Sequence, residues 1–409
     1  MKASGSTASR RNYGAGSLGG PEEDFVTEPP FDAFRYAHEH RAEVAWLSQN
    51  TNHLVPPEVV QPALIAAIRA RLYEGYPLAS GQLGLRELVL ADLGLPPATA
   101  TIISAGATEA LYMTIRALLR PGDVVLASDP SYLIIHKFIQ LSGASTQELD
   151  IYAPPYRLSA ERLNEAITPR TRMILLIDPL NPLGSGYAEA EVRAIAEVAH
   201  DHRLLLLNDV TYRDFADHHT LARTFYPERT VTAWSVSKNC GLAGLRLGGM
   251  VGPDELIQEA LRYNTNDLGV NVLAQAAAIA ALQTKDQWFP TVRATTRANQ
   301  ERIRTMVSSI PDIHLPVYPS QANMFVIDLG STGVSPPALQ RELLLAHGVF
   351  VRAGNYLSPA HGGRFVRVSF SNHPSDIDRF VQAFPIALEK LRREAARSPS
   401  GVPAAVGPT

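Results

Sequence analysis

The chain has 409 residues, of which 45% are hydrophobic and 19% are charged, and its formal net charge is −3. This is the composition of an ordinary globular protein, long enough for one large α/β domain and a smaller one. The near-neutral charge excludes an electrostatic case for nucleic-acid binding, because proteins that bind nucleic acid present basic patches or stripes. No apolar run approaches the ~18–20 residues that cross a bilayer, so we expect no membrane association.

Both ends of the chain have the composition of segments that do not fold. Residues 1–24 are mostly small and polar and lack the apolar core of a signal peptide, and residues 398–409 are a similar small-residue tail. We therefore expect disorder in both segments. The single cysteine, Cys240, excludes an internal disulfide framework and is typical of a reducing compartment, which predicts a cytoplasmic protein.

Helical and strand-like segments alternate along the middle of the chain. The predicted strands are residues 102–103, 124–126, 173–177, 204–207 and 231–233, and helical patterns occupy residues 108–119 and 189–200. This alternation predicts a mostly parallel sheet covered by helices. After about residue 300 the pattern changes, which indicates a smaller α/β domain. We expect a large domain over residues 60–300 and a small domain over residues 25–59 and 301–397.

The first candidate site residues lie between a predicted strand and a predicted helix. Gly106, Ala107 and Thr108 occupy this junction. Unpaired backbone N–H groups at a helix start bind phosphate, and the helix dipole favours an anion there. The same residues also fit a plain helix cap made by Thr108.

Two further candidates follow the next predicted strands. The run DPLNPLG, residues 178–184, presents Asn181, whose amide N–H could reach an oxygen on the ring of a bound ligand. The same run also fits a Pro/Gly turn. Asp209 ends the strand LLLLND, and Tyr212 follows it. A buried carboxylate is costly without a positive partner, and a protonated pyridine nitrogen would be such a partner. A turn aspartate beside a core tyrosine is the alternative.

The run SVSKNCGLAGLRLG, residues 235–248, is the most informative segment of the chain. The hydroxyls of Ser235 and Ser237 and the guanidinium of Arg246 suit an anionic group with several oxygens, as in a phosphate. The amine of Lys238, which lies among them, can condense with an aldehyde. An aldehyde and a phosphate on one cofactor indicate pyridoxal 5'-phosphate (PLP).

Taken together, these motifs resemble the fold-type I PLP enzymes, specifically the class I/II aminotransferase family. The resemblance covers about residues 47–370 and implies a three-layer, aspartate aminotransferase-like α/β fold. It implies that Lys238 carries the cofactor as an internal aldimine and that Asp209 pairs with the pyridine nitrogen. Asn181 and Tyr212 would hold the phenolic oxygen. The implied phosphate ligands are the side chains of Arg246, Ser235 and Ser237 and the backbone amides near Gly106, Ala107 and Thr108.

The resemblance also assigns residues outside these motifs. Tyr132 matches the aromatic residue that stacks on the ring, and Tyr76 matches a tyrosine that reaches the partner's phosphate across a dimer interface. Arg367, in the run FVRVSF, matches the arginine that binds the substrate α-carboxylate. Read alone, that arginine also fits a strand residue facing solvent. The family therefore implies an amino-acid substrate and a homodimer with shared active sites.

Two segments are most similar to the histidinol-phosphate aminotransferase branch of the family. Residues 47–57 read LSQNTNHLVPP, against roughly LNANENPxGPP in the branch, and residues 319–325 read PSQANMF, against PSxANF. The first segment adds Asn52 to the expected substrate-binding residues, which are Arg367 and Asn181. Thr51 replaces the acidic residue of the branch, and His53 replaces its proline.

Other departures lie near the expected cofactor. Leu180 and Leu183 replace the usual Asn and Thr around Asn181, and DVTY, residues 209–212, replaces DExY. These changes retain the cofactor residues and leave the substrate open.

We therefore expect a PLP-dependent aminotransferase of amino-acid metabolism or biosynthesis. The alternative is a PLP-dependent lyase or synthase that performs elimination, replacement or cyclisation, because reaction choice depends on which Cα bond is aligned. A non-catalytic regulator is the third hypothesis, although the chain retains the lysine. We expect no metal, because the adjacent His218 and His219 point apart and lack ligand spacing.

Overall fold

The structure, a computed structural model, describes residues 31–264 and 267–397. Both segments expected to be disordered, residues 1–24 and 398–409, lie outside the described residues. Within the described ranges no helix combines the length and the apolar character needed to cross a bilayer.

Helices occur throughout the described chain. They are α1 (Ala33–Glu39), α2 (Pro57–Arg69), α3 (Leu83–Asp92), α4 (Ala107–Leu118), α5 (Ile134–Leu141), α6 (Ala160–Ala166), α7 (Glu189–Asp201), α8 (Asp254–Leu261), α9 (Val272–Gln283), α10 (Lys285–Ser308), α11 (Pro336–His347) and α12 (Pro374–Arg397). Their ends follow local chemistry. At α9 the Asn271 side chain accepts hydrogen bonds from the N–H groups of Leu273 and Ala274, which would otherwise lack a partner at the first turn.

In the part of the chain that the structure describes, the strands belong to three sheets. They are β1 (Ala45–Trp46), β2 (Ala100–Ser104), β3 (Val124–Asp129), β4 (Ser145–Asp150), β5 (Thr171–Ile177), β6 (Leu205–Asp209), β7 (Thr230–Ser235), β8 (Gly248–Gly252), β9 (Met324–Asp328), β10 (Val349–Phe350), β11 (Arg352–Ala353) and β12 (Phe365–Ser369).

The largest sheet has seven strands in the order β2-β8-β7-β6-β5-β3-β4. The strands from β7 to β4 pair in parallel, while β8 is antiparallel to both β2 and β7. The predicted mostly parallel α/β sheet is therefore confirmed. Because the strands are parallel, the carboxyl ends of β5, β6 and β7 lie at one edge, where open α/β sheets bind ligands.

Helices cover both faces of this sheet and form a three-layer arrangement. Apolar side chains of α4 and α5, such as Leu111 and Ile139, pack on one face. Those of α3 and α9, such as Leu90 and Ala277, pack on the other. Strands covered on both faces are continuously apolar, and every residue of β6 is buried. Burying one such Leu or Ile side chain stabilises the fold by about 1.5–3 kcal/mol.

A second core lies around the three-stranded sheet β11-β12-β9 and the parallel pair β1-β10. Here Leu47 from the start of the chain packs with Phe325 and Phe370 from its C-terminal third. This packing brings residues 45–50 against the edge of the large sheet.

The long helix α10 contributes to both cores. Trp288 and Val292 in its first half pack with the large-sheet core, and Ile303 and Met306 pack with the second core. The predicted boundary at residue 300 falls within this helix. The division of the chain into two domains at that point stays a prediction.

Strand β8 was not predicted from the sequence. It reads GGMVG, and glycine is depleted in strands because it loses more conformational freedom than other residues. Its neighbours require this composition: a Cβ atom at Gly249 would lie 2.1 Å from the carbonyl oxygen of Ile102.

Candidate active site

A cavity of about 650 Å³ lies where the large sheet meets the second core. Its walls include eleven of the side chains or backbone positions expected from the sequence: Ala107, Thr108, Tyr132, Asn181, Asp209, Tyr212, Ser235, Ser237, Lys238, Arg246 and Arg367. These residues come from α4, β3, β5, β6, β7 and β12 or the turns that follow them, so only the folded chain brings them together.

Lys238 occupies the turn that follows β7. Its Nζ atom donates a hydrogen bond to the backbone oxygen of Gln49 at 2.9 Å. Burial, together with the nearby guanidinium groups of Arg367 and Arg246, lowers the pKa of the Lys238 amine from its ordinary 10.5 to about 7. A large fraction of this amine is therefore unprotonated at neutral pH and able to act as a nucleophile or a base.

Asp209 lies at the carboxyl end of β6 and is 5% exposed. Burial raises the pKa of this carboxyl group, while hydrogen bonds from Thr211 oppose that change. In the described part of the chain no lysine or arginine forms an ion pair with Asp209. Burying a carboxylate without a cationic partner costs free energy, so a positively charged group of a ligand would stabilise Asp209.

Tyr212 and Asn181 line the wall between Asp209 and the second core. The Tyr212 hydroxyl oxygen accepts a hydrogen bond from Asn50 Nδ2 at 2.9 Å, and burial raises the pKa of that hydroxyl. Asn181 Oδ1 accepts a hydrogen bond from Arg367 Nη1 at 2.8 Å. Tyr212 thus remains protonated at neutral pH and can donate its proton to an oxygen in the cavity.

Arg367 lies on β12 and is buried rather than solvent-facing, with 6% exposure. Besides its bond to Asn181, it donates a hydrogen bond from Nη2 to the backbone oxygen of Ser48. Burial lowers the pKa of its guanidinium to about 10, so the group remains charged at neutral pH. These bonds hold a planar cation at the cavity wall, in a form suited to a carboxylate.

The opposite end of the cavity has the donors of a phosphate site. Ser235, Ser237 and Arg246 meet there at the start of α4, where the first N–H groups of a helix lack intrahelical partners. Gly106 does not itself line the cavity but allows close approach, because a Cβ atom there would lie 2.7 Å from Arg246 Nη2.

The charge of the cavity fits a ligand with anionic groups. Its carboxylates are those of Asp32 and Asp209, whereas its cationic side chains are Lys238, Arg246, Arg352 and Arg367. The phosphate donors therefore match the phosphate of PLP, the reactive amine matches its aldehyde, and the buried carboxylate matches its ring nitrogen.

Two expected residues are placed elsewhere. Asn52 does not line the cavity: its Nδ2 donates to the oxygen of Asn239 at 2.9 Å, and its Oδ1 accepts from the N–H of Leu54 at 3.1 Å. The Asn52 amide is thus used within the loop, and Asn50 lines the cavity instead; a role of Asn52 in substrate binding stays a prediction. Tyr76 is 82% exposed and lies outside the cavity of its own chain.

Sequence reasoning missed Arg352, Thr211 and Gln49, which also line the cavity. Arg352 lies on β11 directly opposite Arg367 of β12, a proximity set by strand register. Thr211 is part of DVTY, where the substitution itself was a usable signal. Among the described residues, no cluster of three His, Cys, Asp or Glu side chains is arranged to hold a metal.

The fold and the donor set define a PLP-dependent transferase with the aspartate aminotransferase-like fold. A PLP-dependent aminotransferase from Streptococcus suis superposes with a TM-score of 0.78 at 18% identity, over 89% of this chain and 98% of that one. N-succinyldiaminopimelate aminotransferase from Mycobacterium tuberculosis does so with a TM-score of 0.76 at 25% identity, over 88% of this chain and all of that one. The predicted fold is confirmed.

The family model for aminotransferase class I and II matches residues 42–384, and the chain belongs to this family. It is 29% identical to arginine–pyruvate transaminase AruH of Pseudomonas aeruginosa over 73% of this chain and 74% of that protein. It is 30% identical to histidinol-phosphate aminotransferase of Methanosarcina mazei over 84% of this chain and 88% of that protein. The predicted family resemblance is confirmed, and these comparisons do not support the lyase or synthase alternative.

Proposed function

We propose that the protein transfers the amino group of an L-amino acid to an oxoacid, with PLP held on Lys238. The observation that carries this proposal is that one cavity combines the Lys238 amine, the Asp209 carboxylate and the Arg367 guanidinium. When bound, the cofactor supplies an aldehyde carbon for the lysine and an electron-withdrawing ring that stabilises negative charge at the substrate Cα.

The chain's own residues hold the cofactor at both ends. Arg246, Ser235 and Ser237 bind the phosphate together with the N–H groups at the start of α4. Asp209 pairs with the ring nitrogen and thereby favours its protonated form. Tyr212 and Asn181 hydrogen-bond the ring oxygen, and Tyr132 packs on the ring.

Arg367 orients the substrate. It binds the α-carboxylate through its planar guanidinium, while its bonds to Asn181 and Ser48 prevent it from rotating. An amino acid fixed at its carboxylate presents its Cα–H bond to Lys238 in a restricted set of orientations, which lowers the entropic cost of reaction.

Lys238 moves the proton. With the substrate bound, the unprotonated Nζ atom would take the proton from the substrate Cα, and the lowered pKa of the free amine supports this role as a base. The backbone oxygen of Gln49 accepts a hydrogen bond from this amine and keeps it within the cavity.

Attachment of PLP to the cofactor-free protein is expected to speed up as pH rises through about 7 and to level off above that value. Only the unprotonated amine attacks the aldehyde, and the folded protein lowers the pKa of Lys238 from 10.5 to about 7. The check is the rate of the visible absorbance change at a series of pH values, with Nα-acetyl-lysine as the ordinary amine. A rate that still rises steeply at pH 10 would contradict the assignment.

Arg352 extends the proposal to the substrate side chain. It lies opposite Arg367 across two paired strands, and like charges in that position destabilise a sheet unless an anion joins them. No carboxylate of the described residues pairs with Arg352, whose guanidinium lies over the Tyr356 ring at 4.1 Å. This supports a substrate that carries a second anionic group, a carboxylate or a phosphate, on its side chain.

A panel of L-amino acids with uncharged, cationic, carboxylate and phosphate side chains tests the function and the preference together. We expect anionic side chains to give the fastest conversion of bound PLP to its amine form, with release of the matching oxoacid. The R352Q variant should lose about 10- to 100-fold in kcat/KM for those substrates, the range expected for a hydrogen bond to a charged group, and change little for uncharged ones.

The matched control is R393Q, which removes an exposed arginine of α12 that pairs with Glu389 far from the cavity. It should behave as the unmodified protein on every substrate. Consumption of an amino acid without formation of its oxoacid would argue against transamination, and equal losses on all substrates in R352Q would argue against the second anionic group.

A homodimer with shared active sites completes the proposal. Apolar side chains that are at least 43% exposed cluster between residues 65 and 78, and we name them the α2 patch: Ile65, Ile68, Leu72, Tyr73, Tyr76 and Leu78. Exposed apolar groups concentrated in this way mark interaction surfaces. A two-fold dimer through the α2 patch would bring Tyr76 of one protomer to the phosphate end of the other cavity.

The I68D variant is expected to shift the protein from dimer to monomer and to weaken PLP binding, because a buried charge at an interface is costly. Sedimentation measures the mass and equilibrium titration measures the dissociation constant. The matched control is I386D on α12, where the isoleucine is 61% exposed and lies outside the α2 patch. A dimer that survives I68D with unchanged PLP affinity would exclude this interface.

The proposal also places the protein in the cytoplasm, in amino-acid metabolism. The sole cysteine supports this compartment: Cys240 is 1% exposed and unpaired, and burial raises the pKa of its thiol, so it remains an inert thiol.

A further inference from the structure

The Asp209 carboxylate is held on one side by a single residue. Its Oδ1 atom accepts a hydrogen bond from the Thr211 N–H at 3.0 Å and a second from the Thr211 hydroxyl at 2.6 Å. In the described part of the chain, Oδ2 accepts no hydrogen bond. Both residues line the cavity.

The turn after β6 explains this arrangement. Val210, between the two residues, is 2% exposed and packs into the core on the far side of the turn with Phe215 and Trp234. Thr211 consequently faces the cavity. Its β-branched side chain has few allowed rotamers, so its hydroxyl remains near Asp209 at small entropic cost.

Apart from the two Thr211 hydrogen bonds, the buried environment of Asp209 disfavours the charged form of its carboxyl group. Burial raises the pKa of the carboxyl group, and the groups that lower it are the hydroxyl and the N–H of Thr211. With both Thr211 bonds on Oδ1, the lone pairs of Oδ2 remain available to a ligand in the cavity.

We propose that Thr211 is a positioning residue whose hydroxyl fixes the Asp209 carboxylate so that Oδ2 meets the ring nitrogen of PLP. This inference rests on the proposed function, because it assigns the ring nitrogen to Asp209. Thr211 acts through Asp209 and touches neither the transferred amino group nor the substrate.

The T211V variant tests the role with minimal change of shape. It replaces the hydroxyl by a methyl group and retains the backbone N–H bond to Asp209, while T211S retains the hydroxyl and removes the methyl group. For T211V we expect about a 10-fold higher dissociation constant for PLP and about a 10-fold lower kcat, with KM for the amino acid little changed. T211S should remain within about 3-fold of the unmodified protein in each quantity.

A cofactor analogue distinguishes a role of Thr211 in orienting Asp209 from a role in packing alone. In this analogue a CH group replaces the ring nitrogen of PLP. The analogue therefore has no N–H group from which Asp209 could accept a hydrogen bond. Titration of the cofactor-free proteins with the analogue should give T211V and the unmodified protein the same dissociation constant. A merely structural role of Thr211 would weaken binding of PLP and of the analogue alike.

Several results would overturn the inference. T211V could bind PLP and turn over as the unmodified protein does, T211S could be as impaired as T211V, or the analogue could show the same loss as PLP. If T211V fails to fold, as judged by thermal unfolding of the cofactor-free protein, T211A enters the same comparison. Unmodified protein that binds PLP on Lys238 and transaminates, with T211V unchanged, would refute this inference alone. Failure of the unmodified protein to bind PLP would refute the proposed function itself.

Discussion

The K238A variant is expected to lose turnover by a factor of about 10³ or more and to bind PLP without a covalent bond. The substitution removes two functions together: the amine that attaches the cofactor and the base that moves the Cα proton. A positioned base alone increases the reaction rate by about 10²–10⁴-fold. The measurements are turnover of the preferred amino acid and borohydride reduction followed by mass analysis of peptides, which should locate the reduced cofactor on residue 238 of the unmodified protein.

K137A is the matched control, since it removes an exposed lysine of α5 that lies outside the cavity. It should retain turnover and the reduced adduct at Lys238. Full activity in K238A, or an adduct on another lysine of the unmodified protein, would refute the assignment of the cofactor-bearing residue.

The D209N variant is expected to have the second-largest effect, a loss of about 10²–10³-fold in kcat, the range seen when one preorganised electrostatic group is removed. The amide has nearly the shape of the carboxylate but carries no charge, so it cannot stabilise a protonated ring nitrogen. KM for the amino acid should change much less than kcat, because Arg367 still binds its carboxylate. Turnover at saturating PLP and the dissociation constant of PLP are the quantities to compare.

The control for D209N is D201N at the end of α7, where the aspartate side chain is 74% exposed. D201N should leave kcat and PLP affinity unchanged. If D209N retained full kcat, Asp209 would be a structural turn residue, the alternative that its sequence context also allowed.

Much of the large sheet followed from the sequence. Residues 173–177 and 204–207 are short apolar runs, which is what burial on both faces of a parallel sheet requires, and they became β5 and β6 with small shifts at their ends. The strand β8 escaped prediction because its glycines satisfy a close approach to β2, a long-range contact with no local signal.

The same distinction applies within the cavity. Lys238, Asp209 and Tyr212 stood out in the sequence because their motifs are compact, whereas the partners that the structure gives them, such as Gln49 and Asn50, come from a distant segment. Asn50 and Asn52 were not distinguishable, since which of two nearby amides faces the cavity depends on how the loop packs against Ser369 and Asn239.

By itself the sequence determined the kind of cofactor and predicted the residues that would bind it, because the hydroxyls and guanidinium for a phosphate, the amine for an aldehyde and the carboxylate for a ring nitrogen lie in recognisable short segments. Only the tertiary structure decided which second cation lines the cavity beside Arg367 and which hydroxyl hydrogen-bonds the buried carboxylate. Arg352 meets Arg367 through the register of β11 and β12, and Thr211 faces Asp209 because Val210 is drawn into the core. Packing and strand pairing act between residues far apart in the chain, so no local pattern encodes them.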